Sequence, residues 1–166
     1  VMGGLARDAD APMPASMRHY IQNHWQAVAT RTGARFNWDF WSLCQPRRAT
    51  YPACRAVLAA RLQHSGPEMF RAIQHAYYLQ ARNPSLDETL VELAGELSLD
   101  QDRFARDLAS PQIEQLLQEE FDLRRRLQAT AFPSLVLEKN TACTWITQGY
   151  EDAEVVLDRL RAAGVL

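Results

Sequence analysis

Thr130-Ala131-Phe132-Pro133-Ser134-Leu135-Val136-Leu137-Glu138 decides how this chain folds. The apolar run after Pro133 is too short for a helix and has the length of a strand. Proline is tolerated at a strand's start, where its missing N–H takes no ladder bond away. A second run, Cys143 to Thr147, is rich in β-branched and aromatic residues, the types that suit a pleated surface. Asn140-Thr141 between the runs suits a hairpin turn. Beyond Gly149 the pattern predicts a last helix, Asp152 to Ala163, with Val155, Val156, Leu157 and Leu160 on its core side. A two-stranded hairpin does not bury a core by itself. The sheet therefore calls for another strand, from the apolar stub Val1–Leu5, from another chain, or from residues outside this sequence.

Upstream of this hairpin the chain reads as consecutive helices. Pro14 opens the first, Met17, Tyr20, Ile21, Trp25 and Val28 give it an apolar stripe, and Gly33 ends it. Phe36 to Cys44 is an aromatic connection. Thr50 precedes a second helix with Pro52 in its first turn, which Gly66 is expected to close. Ser65 with Glu68, and Ser85 with Glu88, have the spacing of capping boxes, in which side chains satisfy the first amides of a helix. Asn83-Pro84 stops the third helix. Leu86, Leu90, Leu93, Ala94 and Leu97 form one face of the fourth. Asp100 caps a short fifth helix, and Ser110-Pro111 starts a long sixth through Leu127.

With 166 residues, 47% of them hydrophobic, there is material for one well-filled core. A net charge of −2 offers no concentrated basic surface, so nucleic acid is not an expected partner. No apolar stretch reaches the ~18 residues of a membrane span, so no membrane is expected either. Three cysteines without Cys-x-x-Cys spacing, Cys44, Cys54 and Cys143, suggest neither a disulfide framework nor a zinc site. They point to a reducing, cytoplasmic compartment. The Cys44–Cys54 spacing permits a disulfide; the other reading is two buried thiols. His19 and His24 are off one helical face and make poor metal ligands.

The proline-led strand, hairpin and final helix resemble the second half of the thioredoxin fold, and the helices ahead of them resemble the insertion that defines its DsbA-type branch. That branch includes bacterial disulfide oxidoreductases, FrnE-like proteins, 2-hydroxychromene-2-carboxylate isomerases and kappa-class glutathione transferases. Ala49-Thr50-Tyr51-Pro52-Ala53-Cys54-Arg55 is similar to the Asn-Thr-x-x-Ala-His-Arg segment of FrnE-like members, with Ala49 and Cys54 in place of Asn and His. Ala76-Tyr77-Tyr78 with Gln80, and Leu93-Ala94-Gly95-Glu96-Leu97-Ser98-Leu99-Asp100, are similar to two further family stretches in the same order. The likeness is strongest to the subgroup described as DsbA-like disulfide isomerases.

The resemblance implies a mostly helical α/β chain with the thioredoxin-like fold. Residues 1–10 and 130–166 would form a partial thioredoxin-like domain, and residues 11–129 the inserted helical domain. In that family a first strand and a Cys-x-x-Cys helix precede the counterpart of Val1–Leu5. Neither is in this sequence, so the N-terminal β–α portion is expected to be missing and the chain redox-inactive as it stands. The same absent segment would carry the sheet's central strand.

The resemblance further implies a thiol–disulfide oxidoreductase or isomerase acting on a thiol- or disulfide-containing peptide or protein. Phe132 and Pro133 would sit on its cis-proline loop, with Ala131 beside them, and the Phe132 backbone would pair with extended substrate. Trp38, Phe40 and Trp41 either line a substrate groove, Trp41 foremost, or anchor their loop on the core. No catalytic residue and no cofactor is assigned. Glutathione enters only under a kappa-like reading, in which Arg47, Arg48 and Arg55 bind its carboxylate. Homodimerisation and a non-catalytic binding role are the remaining expectations.

Overall fold

The computed structural model describes residues 6–7, 11–140 and 142–166. Eight helices and one hairpin are found among them, in two compact units that divide between Gln118 and Glu119. The stub Val1–Leu5 lies outside the described residues.

The larger unit is helical. Its helices are α1 (Ala15–Thr32), α2 (Phe40–Leu43), α3 (Tyr51–Arg61), α4 (Gly66–Gln80), α5 (Asp87–Glu96), α6 (Gln101–Leu108) and the first part of α7 (Pro111–Arg126). Pro14 precedes α1, and Gly33 ends it with φ 70°, a left-handed conformation that glycine adopts at low cost. The core forms where α3 packs on α4, α5 and α6. Ala56, Ala59 and Ala60 of α3 are fully buried, and their small side chains let neighbouring helices approach closely. Leu58, Met69, Leu90, Phe104, Ile113 and Leu117 fill the space between them without exposure to solvent.

Helix ends depart from expectation in two places. Gly66 opens α4 instead of closing α3, which stops at Arg61. The turn between them places His64 at φ 61°. A Cβ on Gly66 would stand 3.3 Å from the Arg61 Cβ, so glycine serves close approach here. Neither capping box forms. Ser65 makes no side-chain cap, and α5 starts only after Leu86. Ser85 instead donates its hydroxyl to the Ala49 carbonyl at 2.8 Å. That bond joins distant loops, a tertiary demand that outweighs a local cap. Asp100 and Ser110 do cap, accepting from Arg103 N–H at 2.9 Å and Ile113 N–H at 3.2 Å.

In the second unit, β1 (Ser134–Lys139) and β2 (Ala142–Gln148) form an antiparallel hairpin, each slightly longer than its apolar run suggests. The register pairs Val136 with Trp145 and Glu138 with Cys143, with an irregularity at Leu135/Val136. No third strand joins them among the described residues. After them, α8 (Ala153–Ala162) packs on β2. Arg159 ties it there, donating to the Ile146 carbonyl at 2.8 Å while pairing with Glu151 at 3.1 Å.

No residue of α8 is buried, which corrects the expected core side of this helix. Val155 and Leu157 remain 37% and 40% exposed. A hairpin this narrow offers too little surface to cover a full helical face.

Candidate functional site

The segment between α7 and β1 carries the residues singled out in the sequence. Its approach is set by a left-handed Gln128 (φ 56°), which turns the chain out of α7. The Gln128 and Ala129 N–H groups donate back to the Arg125 and Arg124 carbonyls. Phe132 and Pro133 follow, joined by a cis peptide bond and both exposed. Ala131 is half-buried.

One hydroxyl braces this segment. Ser134 Oγ donates to the Ala131 carbonyl at 2.6 Å and accepts the Gly149 N–H at 3.3 Å. It thereby ties the loop to the end of β2, where Gly149 takes φ 98°. Beside it, the Leu135 N–H donates to Thr147 Oγ1 at 3.1 Å. Neither Ser134 nor Thr147 stood out in the sequence. A serine directly after a turn, able to bond the carbonyl three residues back, is the one local signal that pointed to this brace.

A groove of about 720 Å³ opens against this segment. Leu123 and Leu127 of α7, Phe132, and Val136, Cys143 and Trp145 of the hairpin line it. The β1 edge away from β2 makes no ladder among the described residues. Arg126, Gln128 and Glu138 add polar groups to its lining. A groove beside a strand edge suits an extended peptide, with main-chain bonds supplying affinity and side-chain pockets supplying choice.

Trp41 belongs to the helical unit. It packs at 5.0 Å from both Trp25 and Phe40, in a cluster that includes Phe36, Tyr77 and Tyr78. Phe40 is fully buried and Trp41 half-buried, so the aromatic connection anchors this loop, while Trp38 stays 46% exposed. The indole N–H of Trp41 is buried without an acceptor among the described residues.

All three cysteines are thiols. Cys44 is buried in the aromatic cluster. Burial pushes its thiol up from the ordinary value of 9.0, away from thiolate. The Arg47-Arg48 pair does not reverse that, because desolvation is the dominant influence. Cys143 is exposed, since nothing among the described residues covers its face of the hairpin. Cys54 is half-buried in α3. Tyr77 is also pushed above its usual range, by burial first and then by Tyr78 and Cys44. Arg55 pairs with Glu114 at 3.5 Å. Among the described residues, no group of acidic, cysteine and histidine side chains is arranged to hold a metal ion, and no helix is long and apolar enough to cross a membrane.

A thioredoxin family model matches residues 13–157. A candidate protein disulfide isomerase from Nitrosomonas europaea superposes with a TM-score of 0.84 at 27% identity, covering 94% of this chain and 78% of that one. The cytosolic disulfide reductase DsbM from Pseudomonas aeruginosa superposes at 0.72 with 28% identity, covering 86% and 71%. Its structure with GSH gives 0.71. The ClpXP adapter protein SpxH of Bacillus subtilis is 27% identical over 121 residues, 71% of this chain. The chain spans 40% of that relative's length. Family match and structural likeness agree: the chain belongs to the thioredoxin family and is a DsbA-like thioredoxin-fold protein.

Proposed function

We propose that this chain is the substrate-side part of a thiol–disulfide oxidoreductase or isomerase of the DsbA type. Under this reading residues 130–166 are its thioredoxin-like portion and residues 11–129 the helical insertion. The observation that carries it is the exposed Phe132-Pro133 pair, with Ala131 half-buried beside it, at the start of an open strand edge, braced by Ser134 and bordered by a groove. The disulfide isomerase and reductase among its structural neighbours support it. The Phe132 backbone aligns an extended peptide containing a thiol or disulfide, and the groove receives the peptide's side chains.

The chemistry needs a thiolate that attacks one substrate sulfur while the other departs, and a second thiol that resolves the mixed disulfide. No Cys-x-x-Cys pair occurs in these residues. Cys44 is buried with its pKa raised, and Cys143 has no second cysteine at resolving spacing. Under this reading the pair is supplied by polypeptide outside these residues, and the chain alone is inactive. In an insulin-reduction assay with dithiothreitol, the chain should run at the uncatalysed rate. A gene product carrying Cys-x-x-Cys upstream of Val1 should accelerate turbidity. Catalysis by the chain alone, or a stop codon directly upstream of Val1, refutes the proposal. A cytosolic setting with glutathione as the small thiol is part of the reading, supported by the description of DsbM and its structure with GSH.

A second reading, a non-catalytic binding domain, is favoured by the likeness to an adapter protein. It predicts peptide binding without exchange even in the full gene product.

A further inference from the structure

Thr50 stands directly ahead of α3, where a threonine hydroxyl ordinarily accepts an N–H from the second or third helical residue. No such bond forms. The second residue is Pro52, which has no N–H to give. The hydroxyl is spent elsewhere. The Ala6 N–H donates to Thr50 Oγ1 at 3.0 Å, and that hydroxyl donates to the Ala6 carbonyl at 3.0 Å. The Thr50 N–H reaches the same carbonyl, also at 3.0 Å. Both polar backbone groups of Ala6 are thus held by one residue 44 positions away. Nearby, the Met13 N–H donates to the Pro46 carbonyl at 2.8 Å, and Pro12 bridges Arg47 in antiparallel fashion. The approach to α1 is tied to the approach to α3 at two points.

We infer that Thr50 is a positioning residue, a latch that holds the backbone at Ala6, on the N-terminal side of α1, against the approach to α3. Its hydroxyl exchanges a helix cap for a hold on the backbone. Pro52 removes one of the two N–H groups that such a cap would serve. The purpose of the latch rests on the proposed function, under which the polypeptide on that side bears the redox pair. The latch itself involves no disulfide chemistry, so its failure would leave the redox reading standing, and the reverse.

Amide hydrogen exchange, followed by NMR on the full chain, tests it. Thr50→Val keeps the size and the backbone N–H but removes both hydroxyl bonds. Ala6 exchange should rise on the order of tenfold or more, because two neutral hydrogen bonds are lost from a local opening. Leu58 and Met69 in the core of α3 and α4 should keep their protection. Thr50→Ser should restore protection at Ala6. Equal Ala6 exchange in Thr50→Val and wild type overturns the inference. So does acceleration of Ala6 and Leu58 together, since Thr50 would then only stabilise the unit, and so does failure of Thr50→Ser to rescue. Thr50→Ala is read in the same way should the valine variant not fold.

Discussion

Replacing Ser134 with alanine separates a braced loop from an unbraced one with little other change. The hydroxyl makes two bonds, a 2.6 Å donation to the Ala131 carbonyl and a 3.3 Å acceptance from the Gly149 N–H. The first has favourable O–H···O length and contributes about 1 kcal/mol; the second is long and contributes roughly 0.5 kcal/mol. Their sum of about 1.5 kcal/mol corresponds to roughly a tenfold shift in an equilibrium. Gly149 amide exchange should therefore be about tenfold faster in Ser134→Ala. Ser134→Thr keeps a hydroxyl on a residue suited to strands and should stay near wild type. In an active gene product, KM for a disulfide-containing peptide should rise by a similar factor, because loop disorder raises the cost of pairing the peptide with Phe132. Unchanged Gly149 exchange in Ser134→Ala would refute the brace. Changed exchange with an unchanged KM would refute the assignment of this loop to substrate.

Three further outcomes follow from burial. Leu58→Ala opens a cavity at a fully buried position and should cost about 3 kcal/mol, read as a lower midpoint of helical-unit unfolding in urea. Labelling with Ellman's reagent under native conditions should modify exposed Cys143 first and buried Cys44 last; a Cys44 that reacts as fast as Cys143 would contradict its position among the aromatics. Alkaline pH should destabilise the helical unit. Cys44 is buried and Tyr77 and Tyr78 are half-buried against it, all with pKa values raised by burial above the ordinary 9.0 and 10.0. The unfolded chain then releases protons that the folded chain keeps, so stability is full below about pH 9 and falls above it. Tyr77→Phe should flatten that fall, checked by urea midpoints between pH 8 and 11.

What was legible in the sequence, and what was not, divides by the range of the interactions involved. Hydrophobic periodicity and the prolines located every long helix and both strands, because those signals are local. Phe40 and Trp25 could be expected to anchor the aromatic loop, since large rings seek burial wherever the chain turns. The failures concern residues with two local options whose choice is made by distant partners. Ser85 and Thr50 both stood where a cap was plausible, and both turned to backbone from another segment, Ala49 and Ala6. The second half of the Ser134 brace was hidden for the same reason: that bond is to Gly149, across the hairpin.

Exposure of Cys143 was not legible because exposure is a property of the assembled surface, and spacing along the chain carries little of it. Cys143 lies in a strand pattern that ordinarily has a covered face, yet the hairpin's face stays open among the described residues. The exposed Val155 and Leu157 of α8 express the same deficit from the other element of this unit. The β1 edge that makes no ladder among the described residues and the groove beside Phe132 both lie in this unit, and together they are the surface on which the proposed peptide pairing depends.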